Sequence, residues 1–170
     1  MALQVLFIGG TGQISHSCVH EAVKAGHEVS VLNRGFASET LPHGGRQLTA
    51  DFKDDAAYAA ALGDQHWDTV CQFIAFPPED VERDIHRLSG KTGQYIFISS
   101  ASAYHKPVQT FPITEDVPLI NPYWEYSRNK SKAEALLQSQ TTLPYTIVRP
   151  SHTLRTHFPT ALGEGDTVLW

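Results

Sequence analysis

Val5-Leu6-Phe7-Ile8-Gly9-Gly10-Thr11-Gly12-Gln13-Ile14-Ser15 is the stretch that decides the fold. Its four leading apolar residues read as a short buried strand. They run directly into a glycine-rich turn. From Ser15 the chain continues as a helix to Ala25, closed by Gly26. Gly9, Gly12 and Ser15 fill the three small-residue positions of a strand–turn–helix dinucleotide motif. The first permits the tight turn, the second lets the backbone approach a pyrophosphate, and the third keeps helix and strand close. The helix N-terminus adds N–H groups and a positive dipole end. On this reading Gly9, Gly10, Thr11, Gly12, Gln13 and Ile14 form a phosphate cradle. The plain alternative is a glycine-rich turn that holds nothing.

Outward from this motif, strand and helix patterns alternate. Strands are expected at 4–8, 29–32, 46–49, 68–74, 95–98 and 145–148, with helices at 15–25, 54–62, 77–88 and 126–138. Short buried strands separated by helices imply right-handed βαβ units. The expected architecture is α/β: a doubly wound parallel sheet of Rossmann type with about six strands. Residues 106–124 carry four prolines and are too long and irregular for a simple connector, and long loops in compact domains are often functional.

The chain has 170 residues, enough for one domain with a sizeable core. A net charge of -5 and no long Lys/Arg block argue against general affinity for nucleic acid or an anionic membrane. No apolar run approaches the roughly 20 residues that span a bilayer. Cys18 and Cys71 form no CxxC pair, so neither a disulfide framework nor a metal knuckle is expected. These features together suit a cytoplasmic protein.

The end of the second strand bears on cofactor choice. NAD-selective proteins commonly place Asp or Glu there, accepting hydrogen bonds from the adenosine ribose. This chain has Asn33 followed by Arg34. A carboxylate would repel a 2′-phosphate, whereas a guanidinium can bind it in bidentate fashion, so NADP is favoured over NAD. A solvated turn arginine is the alternative. Asp51, after the third strand, is a candidate acceptor for the adenine amino group.

The second half carries Ser100 and Tyr126-Ser127-Arg128-Asn129-Lys130. A helix puts Tyr126 and Lys130 on one face. A free tyrosine has a pKa near ~10, and a nearby ammonium would favour its phenolate. Lowering that pKa by about 3 units needs roughly 4 kcal/mol of differential stabilisation. Ser100, at the end of the fifth strand, would hydrogen-bond the substrate oxygen that exchanges its proton with Tyr126. A bare YxxxK match is common by chance; the position between the fifth and sixth strands gives this one its weight.

The runs GGTGQIS, LNRG, FISSASAY, YSRNK and YTIVRPSHT resemble the extended or atypical short-chain dehydrogenase/reductases, more narrowly the bacterial NAD-dependent epimerase/dehydratases. The resemblance covers nearly the whole chain. It implies catalytic roles for Ser100, with Ser102 a less favoured substitute, Tyr126 and Lys130. It places Ala75 and Phe76 beside the nicotinamide ribose, and Pro150, Ser151 and His152 beside the nicotinamide. Tyr126 and Lys130 would also touch the cofactor. Ile8 and Ser15 depart from the usual Thr and Gly of that pattern. The family commonly runs to roughly 300 residues. The expectation is therefore a dinucleotide-binding domain over 1–150 and, over 151–170, the start of a truncated substrate-binding region whose remainder is missing. The implied partners are a small-molecule substrate and a second copy paired through the helices at 77–88 and 126–138.

Three weaker constellations remain. His16 and His20 are one turn apart but lack a third ligand, so no metal site is expected. His152 and His157 read as surface loop or substrate contacts, and Trp124 either lines the pocket or staples the following helix to the core. The functional expectation is an NAD(P)-dependent oxidoreductase, epimerase or dehydratase acting on a carbonyl or hydroxyl group, with a sugar nucleotide as one candidate substrate class. The competing readings are a non-catalytic NADP-binding or sensing module, an inactive fragment of a longer enzyme, and RNA binding, which the acidic balance disfavours.

Overall fold

A computed structural model describes residues 1–36 and 41–153. Six strands form one parallel sheet: β1 (Gln4–Ile8), β2 (Glu28–Asn33), β3 (Arg46–Thr49), β4 (Trp67–Gln72), β5 (Thr92–Ile98) and β6 (Tyr145–Val148). Four helices connect them: α1 (Ser15–Lys24), α2 (Asp55–Leu62), α3 (Pro78–Leu88) and α4 (Glu125–Ser139). The strand order is β3-β2-β1-β4-β5-β6, with Leu6 beside Ser30 and Val70, and Ile96 beside Thr146. The order reverses between β1 and β4. In open α/β sheets that switch point, at the carboxyl ends of the strands, is where ligands bind.

The expected doubly wound fold is therefore observed. Sidedness follows from strand alternation. Leu6, Ile8, Leu32, Val70, Tyr95 and Phe97 point to one face, where Tyr58 and Leu62 of α2, Val81 and Leu88 of α3, and Ala133 and Leu137 of α4 close over them. Val5, Phe7, Val29, Val31 and Cys71 point to the other face and meet Val19, Ala22 and Val23 of α1. Cys18 is exposed, and its thiol bonds the Ile14 carbonyl.

Element boundaries show local chemistry. Asp54 caps α2 by accepting the Ala56 and Ala57 N–H groups at 3.0 Å each. β4 stops at Gln72 rather than running to Ile74, because the Gln72 side-chain oxygen takes the Ile74 and Ala75 N–H groups away from any ladder. Proline opens α3 in its first turn, where its missing N–H costs nothing. No helix among the described residues is long and apolar enough to cross a membrane.

Gly9 and Gly10 serve different needs. Gly9 has φ +84°, and a Cβ there would lie 2.4 Å from the Ile74 side chain. Gly10 is buried, and a Cβ there would lie 2.6 Å from one Val31 methyl and 3.0 Å from a Val19 methyl. Gly10 thus lets α1 settle onto β2. Because both neighbours are core residues, Gly10→Ala should destabilise the fold by about 1–3 kcal/mol through overpacking, read as a lower urea midpoint with unchanged m-value.

Candidate functional site

Two hollows meet at the carboxyl edge of the sheet. One, of about 430 Å³, is bordered by Gly12, Gln13 and Ile14 of the turn, by Ser100, Tyr126 and Lys130, and by Pro150 and Ser151. The other, of about 530 Å³, is bordered by Thr11, Asn33, Arg34, Phe36, Asp51 and Lys53. Gly9, Gly12, Ile74 and Phe76 line both. The result is a cleft in two lobes, joined across the glycine turn at the switch point. That shape fits a dinucleotide laid over the turn with one half in each lobe.

Most sequence-predicted site residues lie on this cleft. Two do not line it. Gly10 is packed into the core as described, and Ala75 is fully buried, reaching the site only through its carbonyl. At Gly12 a Cβ would meet only the Ser15 hydroxyl, at 3.4 Å, so the backbone stays open to a ligand. Ser15 contributes more than smallness. Buried at the third motif position, its Oγ accepts the Gly12 N–H at 2.9 Å and braces the turn from within.

In the second lobe Asn33 accepts the Gly35 N–H at 2.8 Å, which turns the chain after β2 and sets Arg34 on the rim. The Ala50 N–H bonds the Asn33 carbonyl, so Asp51 leaves β3 beside that rim. Asp51 accepts the Lys53 N–H at 2.8 Å. Phe36 and Lys53 join the lining here without having been singled out from the sequence. Lys53 Nζ lies against Asp80, which also takes the Phe76 N–H at 3.0 Å and an Arg83 N–H at 3.2 Å. Asp80 is buried and ties α3 to both lobes.

In the first lobe, α4 presents Tyr126 and Lys130 one turn apart. Trp124 and Phe76 flank the phenol ring, with centroids at 4.8 and 5.8 Å. Trp124 thus lines the cleft, the first of the two roles open to it. The rest of the proline-rich loop turns elsewhere and forms a separate hollow of about 310 Å³ around His105, Thr110, Asp116 and Pro118. Ser100 belongs to a chain of hydroxyls: its Oγ is 2.8 Å from Ser102 Oγ, to which Ser127 donates at 2.8 Å. Ser102 and Ser127 therefore support Ser100.

Lys130 is 1% exposed, and its Nζ donates to the Ala75 and Ile98 carbonyls at 2.7 and 2.6 Å. Burial pulls its pKa down to about 8 against the attraction of Glu134 and Asp80, so it is an ammonium at neutral pH. The Tyr126 phenol departs from expectation. Its pKa is raised, because half-burial penalises the phenolate by more than the Ser100 hydrogen bond favours it. The Lys130 charge is spent on two carbonyls, and Nζ stands 5.8 Å from the phenol ring centroid.

His152 is exposed, with its Nδ1 3.4 Å from Ser151 Oγ; His157, and residues 154–170 of the expected C-terminal region, lie outside the described residues. The His16 and His20 rings lie 4.3 Å apart, tilted by 31°, and no group of three metal-binding side chains occurs among the described residues.

Comparison with known proteins agrees with the fold. A family model described as NAD(P)H-binding matches residues 9–163. The UDP-glucose 4-epimerase of Lactobacillus helveticus is 28% identical over 167 residues, covering 86% of this chain and 51% of that protein. The chloroplast stem-loop binding protein of 41 kDa b of Arabidopsis thaliana is 32% identical over 162 residues, covering 86% of this chain and 41% of that protein. The Bordetella bronchiseptica enzyme WbmH, solved in complex with NAD+, superposes with a TM-score of 0.70 at 18% identity, over 88% of this chain and 56% of that one. The chain spans about half or less of the length of these two curated relatives. With a family match of this extent, and as its motifs implied, the chain belongs to the NAD(P)H-binding family.

Proposed function

We propose that this chain is the nucleotide-binding and proton-transferring part of an NAD(P)-dependent epimerase, dehydratase or reductase acting on a carbonyl or hydroxyl group. The observation that carries the reading is the two-lobed cleft. One lobe is rimmed by Asn33, Arg34 and Asp51, the other by Ser100, Tyr126 and Lys130, with the open backbone of Gly12 between them. Thr11, Gly12 and Gln13 would hold the pyrophosphate, and Asp51 the adenine. Arg34 would meet a 2′-phosphate, which supports a preference for NADP. A sugar nucleotide is the substrate class suggested by the relative named UDP-glucose 4-epimerase. A relative is also named for stem-loop binding, but a net charge of -5 without a basic block speaks against that role here.

A bound nicotinamide supplies or takes up hydride at the substrate carbon. The chain's own residues handle the proton. With its pKa raised, Tyr126 is a phenol at neutral pH and donates from Oη to a carbonyl oxygen as that oxygen gains charge. In the reverse direction it must accept a proton, and the Lys130 ammonium is the nearby charge that favours this. Ser100 positions the reacting oxygen, with Ser127 and Ser102 fixing the direction of its hydroxyl. Trp124 and Phe76 exclude water from the phenol on two sides.

Two outcomes test the reading. In fluorescence titrations NADPH should bind more tightly than NADH, and Arg34→Ala should weaken NADPH by about 10-fold or more while changing NADH less than about 2-fold, as expected for one charge-assisted hydrogen bond. Equal affinities in the unaltered chain would discard the NADP preference. Tyr126→Phe should keep cofactor affinity within about 2-fold yet abolish hydride transfer with UDP-glucose as the probe substrate. Turnover equal to that of the unaltered chain would remove Tyr126 from the chemistry.

A further inference from the structure

The loop between β4 and α3 has its N–H groups held from behind by a buried polar assembly that the proposed chemistry does not use. Asp84 of α3 is fully buried. Its carboxylate accepts Tyr58 Oη of α2 at 2.8 Å, Tyr95 Oη of β5 at 2.6 Å and the Gln72 side-chain N–H at 2.6 Å. A carboxylate only accepts hydrogen bonds, so Asp84 dictates which way the Gln72 amide faces. With its nitrogen on Asp84, Gln72 must turn its oxygen to the loop, where it receives the Ile74 and Ala75 N–H groups at 2.9 and 3.1 Å. The loop so fixed meets the cleft at three points. Ile74 fills the space that Gly9 leaves by lacking a side chain, Phe76 flanks Tyr126, and the Ala75 carbonyl receives Lys130.

We infer that Asp84 and Gln72 are positioning residues for the nucleotide cleft, acting through the Ile74 and Ala75 amides to set the carbonyl that anchors Lys130. Neither touches the cleft. Their influence passes along a single line of hydrogen bonds from Asp84 through Gln72 and the loop to Lys130. An amide turned the other way would set two N–H donors against the two loop N–H groups. The loop would then have to move, and Ile74 and Ala75 with it. Tyr58 and Tyr95 are the outer supports that keep Asp84 in place.

The inference builds on the cofactor-binding role of the cleft, so its test has two readouts. The first is hydrogen exchange at the Ile74 and Ala75 amides of the chain alone; the second is NAD+ affinity by tryptophan fluorescence. Gln72→Met keeps the packing and leaves Asp84 with both tyrosines, while Asp84→Leu removes the acceptor altogether. Both should lose protection at the two amides and bind NAD+ about 10-fold or more weakly. Asp84→Asn can still offer an oxygen to Gln72 and Tyr95 while its amide group donates to Tyr58, and it should restore protection and affinity relative to Asp84→Leu. Restoration by this conservative change separates positioning from mere core filling. If Asp84→Leu does not fold, Gln72→Met decides. Unchanged protection and affinity in Gln72→Met would overturn the inference. If the unaltered chain fails to bind NAD+, the cofactor reading falls and amide exchange alone settles the hydrogen-bond relay.

Discussion

The cleft depends on one steric constraint, the closeness of Gly9 to Ile74. The strand-to-helix turn after β1 leaves on a left-handed glycine, and the loop after β4 passes so near that a methyl group at Gly9 would collide with Ile74. These are the two strands at which the sheet reverses its order. If they were held apart, the two lobes would lose the shared floor of Gly9, Gly12, Ile74 and Phe76 that makes them one cleft. The Gly9 N–H bonds the Leu32 carbonyl and the Phe73 N–H bonds the Ile8 carbonyl, so each loop is pinned to the neighbouring strand as it departs. The close approach is thus built into the sheet and does not wait for a ligand.

Around that floor the protein buries an unusual amount of charge. Lys130, Asp80, Asp84 and Glu134 are all nearly or fully inaccessible. Burying an ion is costly unless it is hydrogen-bonded, and each of these four has hydrogen-bond partners, two backbone carbonyls in the case of Lys130. Glu134 accepts Ser99 Oγ and the Arg149 guanidinium, whose remaining nitrogen donates to Tyr104 Oη at 3.0 Å; this joins α4 to the ends of β5 and β6. The residual costs show in the shifted pKa values. Asp84 is pushed up to about 6 by desolvation. Between about 4 and 6 the folded state binds more protons than the unfolded one, so this group's contribution to stability falls as pH rises through that window. Lys130 is pulled down to about 8, chiefly by burial. Between about 8 and 10.5 its folded form binds fewer protons than its unfolded form, so its contribution rises with pH there and its cost is greatest at neutral pH. Both charges therefore work against stability at pH 7, which is where site geometry, rather than the fold, gives a reason to keep them.

The parts of the fold legible in the sequence were those governed by local pattern. The β1–α1 motif, the strand–helix alternation and the YxxxK spacing each depend on residues close in sequence, and they gave six strands and the expected sheet class. Asn33, Arg34 and Asp51 could be placed because they lie at or just beyond strand ends. What could not be read depends on side chains meeting across the fold. Asp80 stands in the first turn of α3, yet it reaches Lys53, 27 residues away in sequence. Gln72 looked like a strand residue, and only its contact with Asp84 makes it a loop clamp. The same limit explains Tyr126: helical spacing put an ammonium near the phenol, but it could not reveal that two backbone carbonyls claim that ammonium first.

That competition bears on how the site can work. An ammonium between two carbonyls is held in place, which fixes the positive field at the end of the cleft, while its attraction for the Tyr126 phenolate is reduced because part of its charge is already answered. Half-burial keeps the phenol protonated at neutral pH, the state needed to give a proton to a carbonyl oxygen as charge develops on it. Proton removal from an alcohol asks more of the site, since the desolvated phenolate must then be stabilised. The hydrogen bond from Ser100 is the one favourable influence on it already in place, and the hydroxyl line of Ser127 and Ser102 keeps that donor aimed. Under the proposed function, reduction would be the direction for which the resting arrangement is prepared. On the proposed reading, catalysis in both directions would require Lys130 to exchange part of its hold on the Ala75 and Ile98 carbonyls for a share in the charge at Tyr126.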